Sequence, residues 1–245
     1  MGYGLTVATL LVVWKGLASM MSSAVLPPPE TAVAAFIAAL GQARFWMHFL
    51  ASTLRSVAAM AAAWAVGFPL GLLLGGSERA RALLSPFVVL TYPIPKIVLL
   101  PVLLLLFGLG DVSKVVMIAL ILGYQVLVTT MDGARGVHPK YLDSVRSLGA
   151  GRMRLYLEVL GPAALPHGFT ALRLNAGVSV AVLFFVESFA TDTGLGYMIM
   201  DAWGRMAFAD MFTGIFGMSL LGVALYEAVN WLERWLCPWR RQRGR

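Results

Sequence analysis

The chain has a single cysteine, Cys237, which excludes an intrachain disulfide. Its three histidines, His48, His138 and His167, are scattered, so no Cys/His cluster has metal-ligand spacing and no metal is expected. Gly-Lys does not occur anywhere, and without it there is no phosphate-binding loop of the Gly-x-x-x-x-Gly-Lys-Ser/Thr type. There is no His-Glu-x-x-His motif and no serine-nucleophile arrangement. Charge is also scarce. Only 13% of the residues are Asp, Glu, Lys or Arg, against about 25% in a soluble domain.

What is abundant is apolar: 59% of 245 residues. A water-soluble fold of this size could not hide that much apolar surface, and lipid around the outer faces removes the difficulty. The expected fold is all-α and polytopic. A crossing needs about 20 mostly apolar residues, which suggests about six spans. They run near Tyr3–Ser22, Ser52–Gly76, Ala82–Phe107, Val115–Met131, Phe169–Ala190 and Met211–Leu232. The first lacks a basic start and is read as a retained helix, with a cleaved signal as the alternative. After Leu26-Pro27-Pro28-Pro29-Glu30, a short helix is expected at about Thr31–Ala43. The length suits a single transmembrane domain over 1–245, its core at about 45–232, with a cytoplasmic loop at about 132–168.

The net charge of +7 sits in loops and tail. With both termini cytoplasmic, the inner pieces hold Arg79, Arg81, Arg135, Lys140, Arg146, Arg152, Arg154, Arg234, Arg240, Arg241, Arg243 and Arg245. The outer pieces hold Arg44, Lys114 and Arg205. That asymmetry follows the positive-inside rule and points away from nucleic acid. Arg55 runs against the trend and is expected to snorkel to the outer interface.

Several features inside the spans invite a role. Gly67, Gly71 and Gly75 form a small-residue stripe for close helix packing, within the chain or between subunits. Tyr92-Pro93-Ile94-Pro95-Lys96 interrupts a span. It either lines a cavity, as pathway or gate, or is a simple kink with Lys96 snorkelling. Glu187 is a costly intramembrane acid. It lies on the pathway or gate, or sits at the outer interface, or pairs with a cation such as Lys96 or Arg173. Arg173 reads as an anchor or loop partner. Gly108-Leu109-Gly110-Asp111 matches the Gly-x-Gly-Asp signature of intramembrane aspartyl proteases, but that chemistry needs a second aspartate inside a span. Asp111 is expected to cap or orient the turn before the next helix.

The long basic loop carries the most information. Pro139 can start a helix and Gly149 can end one. Tyr141, Leu142, Val145 and Leu148 then fall at helical spacing on one face. The result is a short amphipathic helix outside the membrane, suited to a groove on a soluble partner or to the lipid surface.

The loop resembles the EAA loop of binding-protein-dependent ABC importer permeases. Asp143-Ser144-Val145 stand at the Glu-Ala-Ala positions, Gly149 follows, and Val159-Leu160-Gly161-Pro162 stand at the hydrophobic-x-Leu-Pro ending. Further stretches are similar to the nitrate, sulfonate and taurine branch. They are Pro93-Ile94-Pro95, Leu106 to Asp111, Ser113-Lys114, Gly133-Ala134-Arg135, Leu172-Arg173-Leu174 and Thr193-Gly194-Leu195-Gly196-Tyr197. The resemblance covers nearly everything from about Leu26 onward.

It implies a type I importer permease fold in a bacterial inner membrane. Two permease copies, most often a homodimer in this branch, would form the pathway. Residues Tyr141 to Arg146 with Leu148, Gly149 and Ala150 would dock as a coupling helix on each of two ABC ATPase subunits, which bind the ATP and Mg. A periplasmic or lipoprotein binding protein would deliver a small organic solute, sulfonate-like or otherwise anionic. The chain itself would not be an enzyme and would hold no cofactor. The alternatives are a stand-alone secondary transporter or channel, and an intramembrane protease.

Overall fold

The computed structural model describes residues 2–21, 25–189 and 191–239. Arg240, Arg241, Arg243 and Arg245, and the span ends Ser22 and Ala190, lie outside them. Among the described residues every regular element is a helix. In chain order these are α1 Gly2–Met21, α2 Pro29–Leu40, α3 Ala43–Gly76 and α4 Glu78–Thr91, then a 3-10 turn Lys96–Leu99 leading into α5 Leu100–Phe107. After α6 Asp111–Arg135 and α7 Pro139–Ser147 comes α8 Arg152–Leu174, then α9 Ala176–Glu187, α10 Leu195–Gly204 and α11 Phe208–Leu236.

By length and composition α3, α6 and α11 can each cross a membrane. Two bent pairs raise the candidates to five: α4 with Lys96–Phe107, bent by 85°, and α8 with α9, bent by 44°. The first expected span is a helix too, but its apolar described stretch, Ala8–Met20, is shorter than a crossing. The expected start of the second span at Ser52 is corrected to Ala43. Leu54, Val66, Leu105 and Val223 are among many large apolar side chains left exposed, as lipid-facing helices require.

The chain resolves into two compact units. One comprises Met1–Leu54 and Phe184–Leu221, the other Arg55–Leu183 and Gly222–Arg245. In the first, aromatic packing sets the core. Trp14 stacks on Phe212 at 5.2 Å and donates from Nε1 to the Pro27 carbonyl at 3.1 Å. Phe36 meets Phe45 and Phe216 edge-on. Lys15, a cation inside an apolar helix, reaches Glu30 at 2.9 Å. That hydrogen bond holds the Glu30 carboxyl below its ordinary value.

In the second unit α3 lies against α6 along the glycine stripe. A Cβ on Gly67 would stand 2.7 Å from the Gly123 carbonyl oxygen, one on Gly71 2.8 Å from Thr130 Cβ, and one on Gly75 2.5 Å from Ala134 Cβ. The stripe therefore packs within the chain, where backbones approach too closely for a methyl group. Trp64, Phe68 and Phe169 stack at 4.7 and 4.5 Å, and Gly168 lies against the first two. Near the start of α8, Leu155–Leu160 adopts the wider π register, with the Gly161 N–H bonded to the Tyr156 carbonyl. Pro162 follows and has no N–H for the ordinary ladder.

Candidate functional sites

The helix α7 is bounded by two caps. At its start Pro139 needs no partner for a missing N–H, and His138 Nδ1 accepts from the Lys140 N–H at 3.2 Å. At its end Gly149 takes φ +79°, which favours glycine. The Gly149 N–H bonds the Arg146 carbonyl at 2.9 Å and the Ala150 N–H bonds the Val145 carbonyl at 3.3 Å, a Schellman arrangement. Leu142 turns inward against a core of Ala134, Leu160 and Ala164, and Val145 is half-buried. Tyr141 and Leu148 point outward, 61% and 85% exposed. The single apolar face expected from spacing is thus divided between the chain's own core and the surface. Asp143 and Arg146 pair at 3.3 Å, and the Ser144 hydroxyl returns to the Lys140 carbonyl. Met153 and Leu157 extend the exposed apolar surface, among the exposed cations Arg146, Arg152 and Arg154.

At the break after α4, Pro95 has no N–H to return to the Thr91 carbonyl. Lys96 Nζ supplies the missing donor. It lies 3.2 Å from the Thr91 carbonyl oxygen, 3.0 Å from that of Tyr92 and 3.4 Å from that of Ile94. The same ammonium sits 4.1 Å from the Tyr124 ring centroid and 5.6 Å from that of Tyr92, within reach of their negative faces. Thr91 Oγ1 and the Tyr124 hydroxyl share a hydrogen bond of 2.8 Å, which ties the break to α6. Lys96 therefore folds back to cap the broken helix. Tyr92, Pro93 and Pro95 stay exposed.

The turn before α6 is held from two sides. Gly108 takes φ +77°. Lys114 Nζ donates to the Leu109 and Gly110 carbonyls at 2.8 and 3.2 Å. Arg55 does not snorkel: it is 4% exposed and bonds Asp111 Oδ1 through Nε at 2.8 Å and Nη2 at 2.7 Å. Asp111 is an ion-pair partner in the first turn of α6, whose N-cap is Gly110. Arg173 bonds Glu233 at 2.9 Å.

Glu187 is 1% exposed. The Ser52 hydroxyl donates toward both its carboxylate oxygens at 2.8 Å, and the Gly196 N–H donates to Oε2 at 2.9 Å. Ser52 Oγ in turn accepts from the Leu195 N–H at 2.8 Å, and His48 Nδ1 accepts from the Gly194 N–H at 3.1 Å. The first N–H groups of α10 thus find acceptors on α3 and on Glu187. The carboxylate meets the positive end of a helix. Gly194 sits at φ +116°, and a Cβ there would lie 2.5 Å from Glu187 Oε1. The Thr193–Tyr197 motif is a backbone cradle for a buried acid.

Comparison with known proteins decides the family. Residues 67–242 match the family described as binding-protein-dependent transport system inner membrane component. The chain belongs to it. Relatives of this permease include the taurine transport system permease protein TauC of Escherichia coli (strain K12), 32% identical over 96% of this chain and 88% of that protein. The putative aliphatic sulfonates transport permease protein SsuC of Bacillus subtilis (strain 168) is 31% identical over 95% of this chain and 85% of that protein. The bicarbonate transport system permease protein CmpB of Synechococcus elongatus (strain ATCC 33912 / PCC 7942 / FACHB-805) is 26% identical over 80% and 71%.

The permease match spans α7, the break at Pro93–Lys96 and the Gly194–Gly196 turn, but begins after His48, Ser52 and Arg55. The sequence does not mark His48, Ser52 or Tyr124 as site partners, and it reads Arg55 as an interfacial residue rather than the partner of Asp111. Polar side chains at 48, 52 and 55 on one flank of an apolar helix were the available signal, since such groups are retained when each has a partner.

Proposed function

We propose that this permease imports a small anionic organic solute, driven by ATP that a separate pair of ABC ATPase subunits binds with Mg and hydrolyses. Two copies of the chain form the pathway, each acting as one transmembrane domain, and a periplasmic or lipoprotein binding protein hands over the solute. Both termini face the cytoplasm of an inner-membrane protein. The observation that carries this reading is α7. It is too short and polar to cross a membrane, it is capped at both ends, and it holds Tyr141 and Leu148 outward. A rigid helix presenting an apolar row among cations fits a groove on a soluble subunit. Residues 141–146 and 148–150 form that contact. Closure of the ATPase pair would then swing the permease between its two open states. Tyr92, Pro93, Pro95 and Lys96 line the route. Glu187, within its own unit, serves as a gate element by holding the turn at the start of α10. The relatives named for taurine, aliphatic sulfonates and bicarbonate support a small solute bearing an anionic group.

The test is purification of the tagged chain from its native host. An ATPase subunit is expected to accompany it, and uptake into proteoliposomes of the complex with its binding protein is expected to stop without ATP. Gly149→Pro should abolish the permease's stimulation of ATPase activity while the chain still inserts, because proline cannot adopt the positive φ of that cap. Uptake by the chain alone on an ion gradient would overturn the reading.

A further inference from the structure

We infer that Lys96 recognises the negative charge of the transported solute, so that the break after α4 is a subsite for a sulfonate or carboxylate group. This rests on the importer reading and adds a residue and a ligand chemistry to it.

The break itself constrains what surrounds it. Tyr92 and Ile94 are each 49% exposed, and Pro93 and Pro95 are exposed beside them. Irregular backbone at membrane depth is tolerated only where protein covers it or water fills a cavity. Lipid is therefore excluded as the solvent of this surface, which leaves neighbouring protein or a water-filled cavity, and the importer reading takes it as the cavity.

Charge then separates Lys96 from the arginines of α3 and α8, while Lys114, also held by carbonyls, is 2% exposed and closed to a solute. Arg55 is paired with Asp111 and Arg173 with Glu233. The Lys96 ammonium has three carbonyl oxygens and two aromatic faces, and among the described residues no carboxylate pairs with it. Dipoles of that kind hold a cation in place without neutralising it. A full positive charge beside a low-dielectric wall attracts anions more strongly than it would in open water. The longest of its hydrogen bonds, 3.4 Å to Ile94, is the one most easily exchanged for an anionic oxygen. The Tyr92 and Tyr124 rings flank the ammonium and offer apolar faces to a short alkyl chain.

The experiment uses the assembled importer in lipid nanodiscs. Brief acylation of amines, read by mass spectrometry, reports separately on Lys15, Lys96, Lys114 and Lys140. Ethanesulfonate, methanesulfonate and bicarbonate are compared with ethyl methyl sulfone, a neutral counterpart. At least one anion is expected to lower Lys96 labelling by about half at the concentration equal to its Kd, with Lys140 unchanged and no effect of the sulfone. As a second arm, the anion-dependent rise in melting temperature should survive in Lys96→Arg and vanish in Lys96→Met. Labelling of Lys96 indifferent to all three anions, or equal protection by the sulfone, overturns the subsite. Because the footprint is read on the wild-type chain, a poorly folded variant does not decide the matter. If the ATPase co-purifies and uptake needs ATP while Lys96 ignores every anion, only this assignment fails. If no ATPase accompanies the chain, the importer reading fails first.

Discussion

Ser52 Oγ lies 2.8 Å from each carboxylate oxygen of Glu187 and accepts the Leu195 N–H at the same distance. One hydroxyl thus joins α3, the end of α9 and the start of α10. Gly194 beside it sits at φ +116°, ψ 163°, a region open only to glycine. Gly194→Ala should lower stability by on the order of 1–3 kcal/mol through backbone strain, before any clash with Glu187 is counted. Gly177, where an added methyl group would meet nothing within 4 Å, provides the control. Gly177→Ala should be neutral or stabilising by up to about 1 kcal/mol, as alanine is the better helix former. Thermal melts of both variants in one detergent check the pair. Equal melting temperatures would mean that the Gly194 turn bears no such constraint.

The stripe on α3 gives a second expectation. A Cβ at Gly71 meets the Leu127 carbonyl and Thr130 Cβ, whereas one at Gly123 meets nothing nearer than 3.8 Å. Gly71→Val should cost about 1–3 kcal/mol or more, as overpacking does. Gly123→Ala should be tolerated. Because the stripe faces α6 of the same chain, Gly71→Val should lower the melting temperature at unchanged oligomeric state, read by light scattering. Dissociation of a dimer with an unshifted melt would assign the stripe to a subunit contact.

Legibility in the sequence follows the range of each interaction. Pro139 and Gly149 mark the two ends of α7 because caps are local: a missing N–H and a positive φ are properties of single residues. The interruption at Pro93 and Pro95 is legible for the same reason. The start of α3 is not. Hydropathy fades toward His48, Ser52 and Arg55, which sets the expected start of the span at Ser52. The helix begins at Ala43 because those polar groups are satisfied by Gly194, Glu187 and Asp111. Their partners lie far along the chain, 135 positions away for Glu187, and two of them, the Gly194 and Leu195 N–H groups, are backbone donors that leave no side-chain signature. The apolar spacing of α7 shows which residues repeat, but not which side its own core claims.

The pair Arg55–Asp111 joins the middle of α3 to the first turn of α6. The arginine is buried and the aspartate is 67% exposed, so water weakens the attraction on one side only. Arg55→Met, Asp111→Asn and the double variant form a cycle whose coupling energy should fall within about 0.5–3 kcal/mol. The double variant should melt higher than the sum of the two single losses implies, because Asp111→Asn removes the counter-charge of a buried arginine while Arg55→Met leaves a carboxylate that water can reach. Strict additivity in denaturant or thermal unfolding would remove the pair as a structural tie.

Leu142 on α7 and Leu148 at its C-cap have opposite duties. Leu142 packs on Ala134, Leu160 and Ala164, while Leu148 is 85% and Tyr141 61% exposed. Leu142→Ala should therefore reduce the melting temperature of the isolated permease. The loss should be smaller than the roughly 2–5 kcal/mol of a fully buried leucine, as the side chain is only partly covered. Leu148→Ser and Tyr141→Ser should leave that melt within about 0.5 kcal/mol, the usual range for exposed positions. They should instead weaken retention of the ATPase subunit, since truncating a central apolar anchor costs an interface about 2 kcal/mol or more, some thirtyfold in affinity. Retention is read by pull-down at graded ATPase concentration, and stability by thermal melt of the permease alone. Leu148→Ser complexes that hold the ATPase as tightly as wild type would show that this outward face of α7 is not the coupling surface.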